Sequence, residues 1–427
     1  MPKHHSSRRA LLLVAVLTAA GCKHTNTNYC PGAKLDNCLD VDAAIDAPVG
    51  CTSDQSCSGA MAVCDLVSKD CVQCEGSDAA ACVGVTPTCG SDEMCHACVA
   101  HADCASDACL PNGSCGDDST VAYVDPTGTD NTMCTKATPC IKVAKALATM
   151  RSFVKFHGIT NEPVSINNQN VTFLADAGAK LTDTSNGVLL EIKGTSQVAI
   201  HDLEVTGASG PSGVGLSLPT GNAATVMLQR VKLTNNTGAG ISAFGGSLTV
   251  SQSTIAGNTG GGITIGGGAT FVIVGNVFFS NGNNGSGIGG ISITTSQASV
   301  NRLDFNSFNK NLTQDGVGPA IQCIAGTFKA KNNILFGNGT LTQLDQIGGT
   351  CTHAYSIVSP GALPAGTGNV AADPLFVSTT TGDLHIMASS PARHAADPAA
   401  DLTGLAAHDL DGDTRVSPAD IGADELP

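Results

Sequence analysis

Tryptophan is absent from this chain of 427 residues, and aromatic side chains make up only 4 % of it. Charged residues are also scarce at 13 %, whereas glycine is abundant, with 50 residues. This balance disfavours a helical enzyme and is typical of a β-structure with glycine corners and a long aliphatic interior. The formal net charge of −15 argues against nucleic acid as a partner, because phosphates require a basic surface. A chain of this length needs two or more modules.

Five asparagines occupy the same place in a recurring phrase: Asn236, Asn258, Asn281, Asn311 and Asn338. The spacings between them are 22, 23, 30 and 27 residues, and most are followed by a glycine-rich corner and a new strand-like segment. Recurring periods of this size with short strands indicate a solenoid whose coils stack on their neighbours. The sequence therefore predicts an all-β architecture for the last two-thirds of the chain.

Aligning the repeats places the five asparagines in one column and sets aliphatic side chains such as Leu228 and Val250 in another. Asparagine tolerates the left-handed backbone of a tight turn and hydrogen-bonds nearby amides. We therefore interpret the asparagine column as a structural ladder. The alternative is a polar binding face.

The same alignment sets Asp202 beside Arg230 and Glu204 beside Lys232 on adjacent coils. One interpretation is two exposed ion pairs between coils, each worth about 0–1 kcal/mol. The other adds His201 and makes the group an acid/base cleft for polysaccharide. Because opposite charges are matched position by position, we favour ion pairs and assign no catalytic residue and no metal ligand here.

The first 22 residues have the pattern of a signal peptide, with a basic start and a short apolar run. The run ends L17-T-A-A-G-C22, which resembles a bacterial lipobox, although Ala19 stands where the family usually has leucine. The resemblance implies cleavage before Cys22 and acylation of its thiol and amino group, which would anchor the chain in a lipid bilayer. Lys23 after the cysteine resembles an outer-membrane sorting signal. Residues 23–50 look like an acidic tether.

Eighteen cysteines remain after Cys22, and fourteen of them lie between positions 30 and 115. An even count in an exported chain indicates disulfides, and we expect two local pairs, Cys134 with Cys140 and Cys323 with Cys351. Over 51–118 the spacing between cysteines itself repeats. One repeat runs from Cys71 to Cys95, and the next one begins at the same Cys95. Zinc is the alternative, because C-x2-C occurs twice, at 71/74 and 95/98. The connectivity stays open.

This cysteine-rich region resembles repeats in surface lipoproteins of myxobacteria. The phrase Y123-V-D-P that follows it resembles the opening of secreted parallel β-helix proteins, in which a strand and an amphipathic helix cap the first coil. The resemblance implies a right-handed parallel β-helix, pectate-lyase-like, over 119–427. Its cap would span about 121–153, with the helix at 142–153.

The C-terminal segment, about 366–427, carries G-N-x3-D-P-x-F, G-D-x-H-x4-S-P-A and D-x-D-G-x2-R. These motifs resemble the closing module of choice-of-anchor β-helix surface proteins. The run D409-L-D411-G-D413 also suggests calcium, but glycine at its fourth place breaks the EF-hand pattern. A salt-bridged cap of these aspartates with Arg415 is the favoured interpretation, and no cofactor is expected.

Together these features predict a monomeric, lipid-anchored protein of the outer membrane, exposed at the cell surface. Its expected role is display, adhesion or carbohydrate contact, without an identifiable catalytic site. The alternative is a polysaccharide lyase or glycosidase, which would rest on analogy between folds.

Overall fold

The computed structural model describes residues 50–427 except 77–80, 185–186, 211, 296–299, 315–317, 326–327 and 341–344. Contacts divide the chain into two compact units, Met1–Val72 and Gln73–Pro427. This division falls inside the cysteine-rich segment, so most of that segment belongs to the same unit as the repeats. Within the described residues, no helix is both long and apolar enough to span a bilayer.

The fold is an all-β, right-handed solenoid, which confirms the predicted class. Three parallel sheets, here called A, B and C, run along it, and the chain visits them in that order in every coil. Sheet A contains Ile159–Asn161, Lys180–Thr182, Glu204–Thr206, Lys232–Thr234, Thr254–Ala256, Val277–Phe279, Ser307–Asn309, Ile334–Phe336 and Ile357–Ser359. Sheet B contains Val164–Asn167, Leu190–Lys193, Leu216–Leu218, Ile241–Ala243, Ile263–Ile265, Ile291–Ile293, Ile321–Cys323 and Ile347–Gly349. Sheet C contains Val121–Thr129, Phe153–Phe156, Asn170–Ala175, Gln197–His201, Thr225–Gln229, Ser247–Ser251, Thr270–Val274, Arg302–Asp304, Lys329–Lys331 and Thr352–Ala354.

The interior is formed by alternate residues of each short strand. In sheet C, Leu228, Val250 and Ile273 pair in register across successive coils and are fully buried. In sheet A, Phe278 and Phe308 stack with ring centroids 4.4 Å apart. Such columns of like side chains bury apolar surface continuously, so each coil depends on its neighbours for its stability.

The asparagine column lies at the corner between sheets A and B. Each of the five asparagines is buried, and each of the first four donates its side-chain amide to the side-chain oxygen of the asparagine one coil further along. The last of them, Asn338, donates to Gln346 at 2.9 Å. The expected left-handed residue is not the asparagine but the residue before it, with φ between 53° and 66° at Asn235, Gly257, Ser280, Lys310 and Gly337.

The corner between sheets C and A repeats this arrangement. Its ladder is formed by Ser253, Asn276, Asn306, Asn333 and Ser356. The preceding residue again has a positive φ in each coil, namely Gln252, Gly275, Phe305, Asn332 and Tyr355. At each corner, one residue in the left-handed conformation turns the chain. The side chain of the residue after it then pairs with backbone amides that the turn leaves pointing into the interior.

The first coil is covered by the strand Val121–Thr129 and by the helix Val143–Ala148, which buries Val143, Ala146 and Leu147. The helix is shorter than the predicted 142–153. It ends because Met150 has φ 58°, which a right-handed helix cannot accommodate, and sheet C resumes at Phe153.

The cysteine-rich region consists of three units of four cysteines, at 51–71, 74–95 and 98–115. Each unit joins its first cysteine to its third and its second to its fourth, giving 51–64, 57–71, 74–89, 82–95, 98–109 and 104–115. The predicted register was wrong. Cys95 belongs to one unit only and is not shared between two repeats, and each C-x2-C pair spans the boundary between two units. Sulfurs of three cysteines lie within 4.8 Å of one another in each unit, but all are in disulfides and are not free thiolates.

Short elements complete the structure. Hairpins join Val63–Cys64 to Cys71–Val72, Thr88–Cys89 to Cys95–His96 and Phe376–Ser378 to Asp383–Ile386. Single 3-10 turns lie at Asp54–Ser56, His101–Asp103 and Gly404–Ala406.

The C-terminal segment begins by pairing Val370 with the last coil and then runs back along the outside of the solenoid. Its apolar residues pack with outward side chains of sheets C and A, including Val274, Val277 and Ile334. The backbone of Ala423 donates to Ser307 at 3.0 Å, so Ser307 is fully buried. The outward column of sheet A that contains Lys232, Thr254 and Ser307 is therefore covered at this end.

Candidate ligand cavity at the solenoid corner

The third cysteine unit, residues 98–115, is attached to the start of the solenoid. The Tyr123 hydroxyl donates to the carbonyl of Ser106 at 2.7 Å, and Lys136 forms an ion pair with Asp107 at 2.7 Å. Ala108 packs against Val121 and Tyr123 in a small buried cluster. These contacts fix the unit over the corner between sheets C and A.

A cavity of about 910 Å³ lies between this unit and the corner. The cysteine-rich region contributes residues 97–101 and 109–113, and the solenoid contributes 174–177, 201–202 and 229–230. All the solenoid residues come from the ends of three successive sheet C strands. The volume falls within the range of about 300–1,000 Å³ that is usual for small-molecule sites.

Asp202 and Arg230 are both lining residues and form a two-pronged ion pair. The guanidinium Nε donates to Oδ1 at 2.7 Å and Nη2 donates to Oδ2 at 2.9 Å. The hydrogen bond to Asp202 raises the pKa of Arg230. Both residues have positive φ, 64° and 55°, so they occupy the left-handed place of the corner in their coils.

Asp176 lines the same cavity and is held by two basic side chains, Lys155 and His157. Burial alone would raise the pKa of Asp176, but the hydrogen bonds from His157 and Lys155 outweigh it and lower the pKa to about 2. The Lys155 side chain is fully buried. A carboxyl group with this pKa stays ionised at neutral pH and cannot act as a general acid.

His201 also belongs to the solenoid wall, and only 5 % of it is exposed. Burial, and then the charge of Arg230, lowers the pKa of its imidazole, so the ring is neutral at pH 7. The ring hydrogen-bonds Gln229, whereas its buried Nε2 atom has no hydrogen-bond partner.

A relay of amides determines which nitrogen of His201 carries the proton. Gln252 donates its side-chain amide to the carbonyl of Asp409 at 2.7 Å, which leaves its oxygen to accept from Gln229 at 2.9 Å. Gln229 then has its own oxygen free to accept from the ring of His201. The Nδ1 atom of His201 therefore carries the proton, and Nε2 presents an unused lone pair.

The opposite wall contributes a second imidazole. The backbone N–H of Cys109 donates to Nδ1 of His101 at 3.1 Å, and the ring also hydrogen-bonds the backbone of Ala175. Burial, and then the charge of Lys155, lowers the pKa of His101. His101 thus links the cysteine unit to the end of a sheet C strand.

The predicted site residues are only partly brought together. Asp202 and Arg230 pair as expected, but Glu204 is 2.8 Å from Lys180 on the preceding coil rather than paired with Lys232. Lys232 is in register with Glu204, yet the carboxylate is drawn to the other neighbour and to the Thr234 hydroxyl, at 2.8 Å. The prediction of an ion pair between Glu204 and Lys232 is therefore wrong, and Glu204 pairs with Lys180 instead.

The remaining predicted residues lie elsewhere. Disulfides join Cys134 to Cys140 and Cys323 to Cys351, with Cα atoms 4.7 and 5.7 Å apart. Cys22, the predicted lipidation site, lies outside the described residues, as do the predicted signal peptide and all but the last residue of the predicted tether.

Within the aspartate run near the C-terminus, Asp409 is already enclosed by backbone amides. Asp409 accepts backbone N–H groups of residues 411, 412, 413 and 425. Amide protons therefore surround both of its oxygens, where a cation would need bare lone pairs. The predicted bridge to Arg415 is also replaced, because Arg415 pairs with buried Glu425 at 3.3 Å.

Sequence reasoning missed His101, Asp176 and the glutamine relay. His101 lies in a cysteine repeat and Asp176 in an earlier coil, and nothing local marks either as a neighbour of His201. Two glutamines next to the same corner on successive coils, Gln229 and Gln252, were the available signal.

Comparison with known proteins agrees with the fold. Residues 186–357 match the family model for a right-handed β-helix region. A crystal structure of the pectate lyase Pel9A is similar over 73 % of this chain and all of its own, with 14 % identity and a TM-score of 0.38. No curated protein matches the chain significantly. The family match agrees with the right-handed parallel β-helix of the structure.

Proposed function

We propose that this protein is a lipid-anchored surface protein of the outer membrane whose β-helix contacts carbohydrate. The anchoring part is supported by the L17-T-A-A-G-C22 ending and by the acidic tether after it. The disulfide units fit an exported protein, because disulfides persist in oxidising compartments. The ladders give the solenoid a rigid frame for display.

Carbohydrate contact is supported above all by the cavity beside His201. Sugars offer hydroxyl groups that both donate and accept hydrogen bonds, and the wall offers polar side chains at and around His201. Next to it lies the ion pair of Asp202 and Arg230, whose outer atoms can accept and donate. Leu110, Pro111 and Leu174 supply apolar surface for the C–H face of a ring.

A polysaccharide-active enzyme is the second candidate, favoured by one observation. His201 is buried and the pKa of its imidazole is lowered, so it is the candidate in this wall for a neutral general base. A hydrolase that uses paired carboxylates is less well supported, since Asp176 and Asp202 are both engaged in ion pairs. A lyase reaction initiated by proton abstraction fits the wall better.

Binding and activity can be measured on the same sample. The full chain, purified in detergent, is applied to an array of oligosaccharides and also incubated with the polysaccharides that bind. Assays for reducing ends and for unsaturated products then distinguish contact from turnover. Binding without product supports the first candidate, and product formation supports the second. Absence of binding to every glycan overturns both.

Anchoring is tested separately by fractionation. We expect Cys22→Ser to move the protein from the membrane fraction to a soluble fraction, because the acyl chains would be lost. If this variant stays with membranes after a carbonate wash, the proposed anchor is wrong.

A further inference from the structure

A group of metal-ligating side chains lies in the C-terminal segment, away from the cavity. A ring nitrogen of His385, a carboxylate oxygen of Asp411 and a carboxylate oxygen of Asp424 all lie within 4.8 Å of one another. His385 belongs to the hairpin strand Asp383–Ile386, Asp411 to the turn closed by the bridge between His408 and Thr414, and Asp424 to the last residues of the chain. The fold of the segment therefore brings three separate stretches together at one point.

The imidazole of His385 is oriented by a second carboxylate. Its Nδ1 contacts Oδ1 of Asp383 at 2.5 Å, and its Nε2 lies 2.6 Å from Oδ2 of Asp411. Histidines that bind metals are usually held in this way, by a carboxylate on the nitrogen that does not ligate. The contact of His96 with Asp92 lacks this arrangement, because no third ligand residue of the described chain gathers there.

Asp424 contributes a buried carboxylate to the group, since only 5 % of the residue is exposed. Its Oδ2 accepts the backbone N–H of Ile386 at 2.8 Å, whereas its Oδ1 has no hydrogen-bond partner among the described residues. No lysine or arginine of the described chain forms an ion pair with Asp424 or Asp411. Neighbouring carboxylates without a cation are costly when buried, and a bound metal ion relieves that cost.

We propose that His385, Asp411 and Asp424 bind manganese(II), with Asp383 as the positioning residue for the imidazole. Manganese(II) is the transition-metal ion that favours carboxylate and water ligands, and the part-exposed side chains of His385 and Asp411 leave room for water. Calcium and magnesium fit less well, because they take oxygen ligands. The proton between Nε2 and Asp411 leaves to solvent when the ion binds, since imidazole ligates in its neutral form.

The bound ion would join the hairpin, the turn and the chain end, and so would stabilise the C-terminal segment against the solenoid. This role is independent of the proposed carbohydrate contact, because none of the three ligand residues lines the cavity.

Two variants test the site, and a third is a matched control. Asp411→Asn removes a ligand charge from a side chain that is 54 % exposed, so the fold should persist. His385→Gln removes the ligating nitrogen. Asp92→Asn is the control, since the Asp92 side chain is 57 % exposed and also contacts an imidazole, that of His96.

The full-length chain in detergent is stripped with EDTA, freed of the chelator and titrated with manganese(II) chloride, and free Mn²⁺ is measured by its electron paramagnetic resonance signal. We expect a single tightly bound ion in the wild type and in Asp92→Asn, and an affinity lower by about tenfold or more in Asp411→Asn and His385→Gln. The melting temperature should rise with Mn²⁺ in the first two proteins only. Equimolar Ca²⁺ or Mg²⁺ should not displace the ion.

Four results would overturn the site. They are absence of bound Mn²⁺, binding retained in both Asp411→Asn and His385→Gln, an equal loss in Asp92→Asn, and displacement by equimolar Ca²⁺ or Mg²⁺. The third would show general attraction to an acidic surface, and the fourth would show that His385 is not a ligand. None of them bears on glycan binding, so this site and the proposed function can fail separately.

Discussion

The side-chain amide of Asn258 donates to the side-chain oxygen of Asn281, one coil further along, at 2.9 Å. The same nitrogen donates to the carbonyl of Leu233 at 2.9 Å, while the oxygen of Asn258 accepts from both nitrogens of Asn236. Every polar atom of this buried side chain is therefore paired. The asparagines act as connectors between coils rather than as a polar face open to ligands.

Replacing one connector should destabilise the solenoid strongly. In Asn258→Leu, the donors of Asn236 and the acceptors on Leu233 and Asn281 lose their partner. We expect a loss of about 1–3 kcal/mol for each group left unpaired. Urea denaturation of the full chain measures it.

The control for this experiment lies four residues earlier. Thr254 is half-exposed in the outward column of sheet A, so Thr254→Ala should change the free energy of unfolding by less than about 0.5 kcal/mol. Equal effects of the two substitutions would contradict the assignment of Asn258 to the interior ladder.

The left-handed corner offers a test in two directions. Gly257 has φ 66°, and a Cβ added there would lie 2.7 Å from the side-chain oxygen of Asn235. Gly257→Ala should therefore destabilise the fold by about 1–2 kcal/mol or more. Lys310 occupies the same place two coils later with φ 58°, so Lys310→Gly should be neutral or stabilising.

Thermal melts of both variants report the effect. Loss of stability in Lys310→Gly comparable to that in Gly257→Ala would contradict the assignment of backbone strain to this position.

Much of the solenoid could be predicted from the sequence, because the pattern of its side chains is periodic. A buried side chain that recurs every coil must meet its copy on the next one, so the columns of Leu228 and Asn258 follow from spacing alone. We predicted the left-handed conformation one residue too late, at the asparagine of each repeat. Asn235, Ser280 and Lys310, which adopt it, share no side-chain chemistry that would reveal it.

The cavity could not be predicted in the same way. It depends on where the third cysteine unit lies, which is set by contacts such as Tyr123 with Ser106 that have no periodic signal. The partner of Glu204 was likewise undetermined, because Lys180 and Lys232 flank it in register on either side. Local spacing cannot decide between two equivalent neighbours.

The disulfide connectivity of the cysteine units can be checked by removing cysteines in pairs. Cys98 and Cys109 are joined, so Cys98→Ser with Cys109→Ser should leave no free thiol. Alkylation without reduction should then add no mass. The matched control is Cys98→Ser with Cys104→Ser, which removes one partner from each of two disulfides and should release two thiols.

Two alkyl groups on the first variant and none on the control would contradict the alternating pattern. The wild-type protein should take up no alkyl group, and stoichiometric zinc on elemental analysis would contradict the disulfide assignment.

The C-terminal segment should become less stable as the pH rises. His385 contacts Asp383 at 2.5 Å and Asp411 at 2.6 Å. Burial alone would lower the pKa of His385, but these two hydrogen bonds outweigh it and raise the pKa to about 9. Since the folded pKa exceeds the unfolded value of 6.5, the stabilisation is complete below pH 6.5 and is lost as the pH rises through about 9.

A second group in the same segment acts in the same direction at lower pH. Burial raises the pKa of Asp424 from 3.8 to about 6, so folding favours its protonated form and stability falls between these values. The two groups together predict that the free energy of unfolding falls as the pH rises from mildly acidic to alkaline. The part of this fall above pH 6.5 is due to His385.

The loss of stability above pH 6.5 is assigned to His385 by comparing thermal melts of the wild type and His385→Gln from pH 6 to 9.5. Gln cannot carry the charge, so the difference between the two should be largest near pH 6 and should vanish towards pH 9.5. His96→Gln is the control, because about half of each side chain is exposed in the contact of His96 with Asp92, so this contact should contribute little. A constant difference between wild type and His385→Gln across this range would show that the imidazole stabilises the segment by packing rather than by its charge.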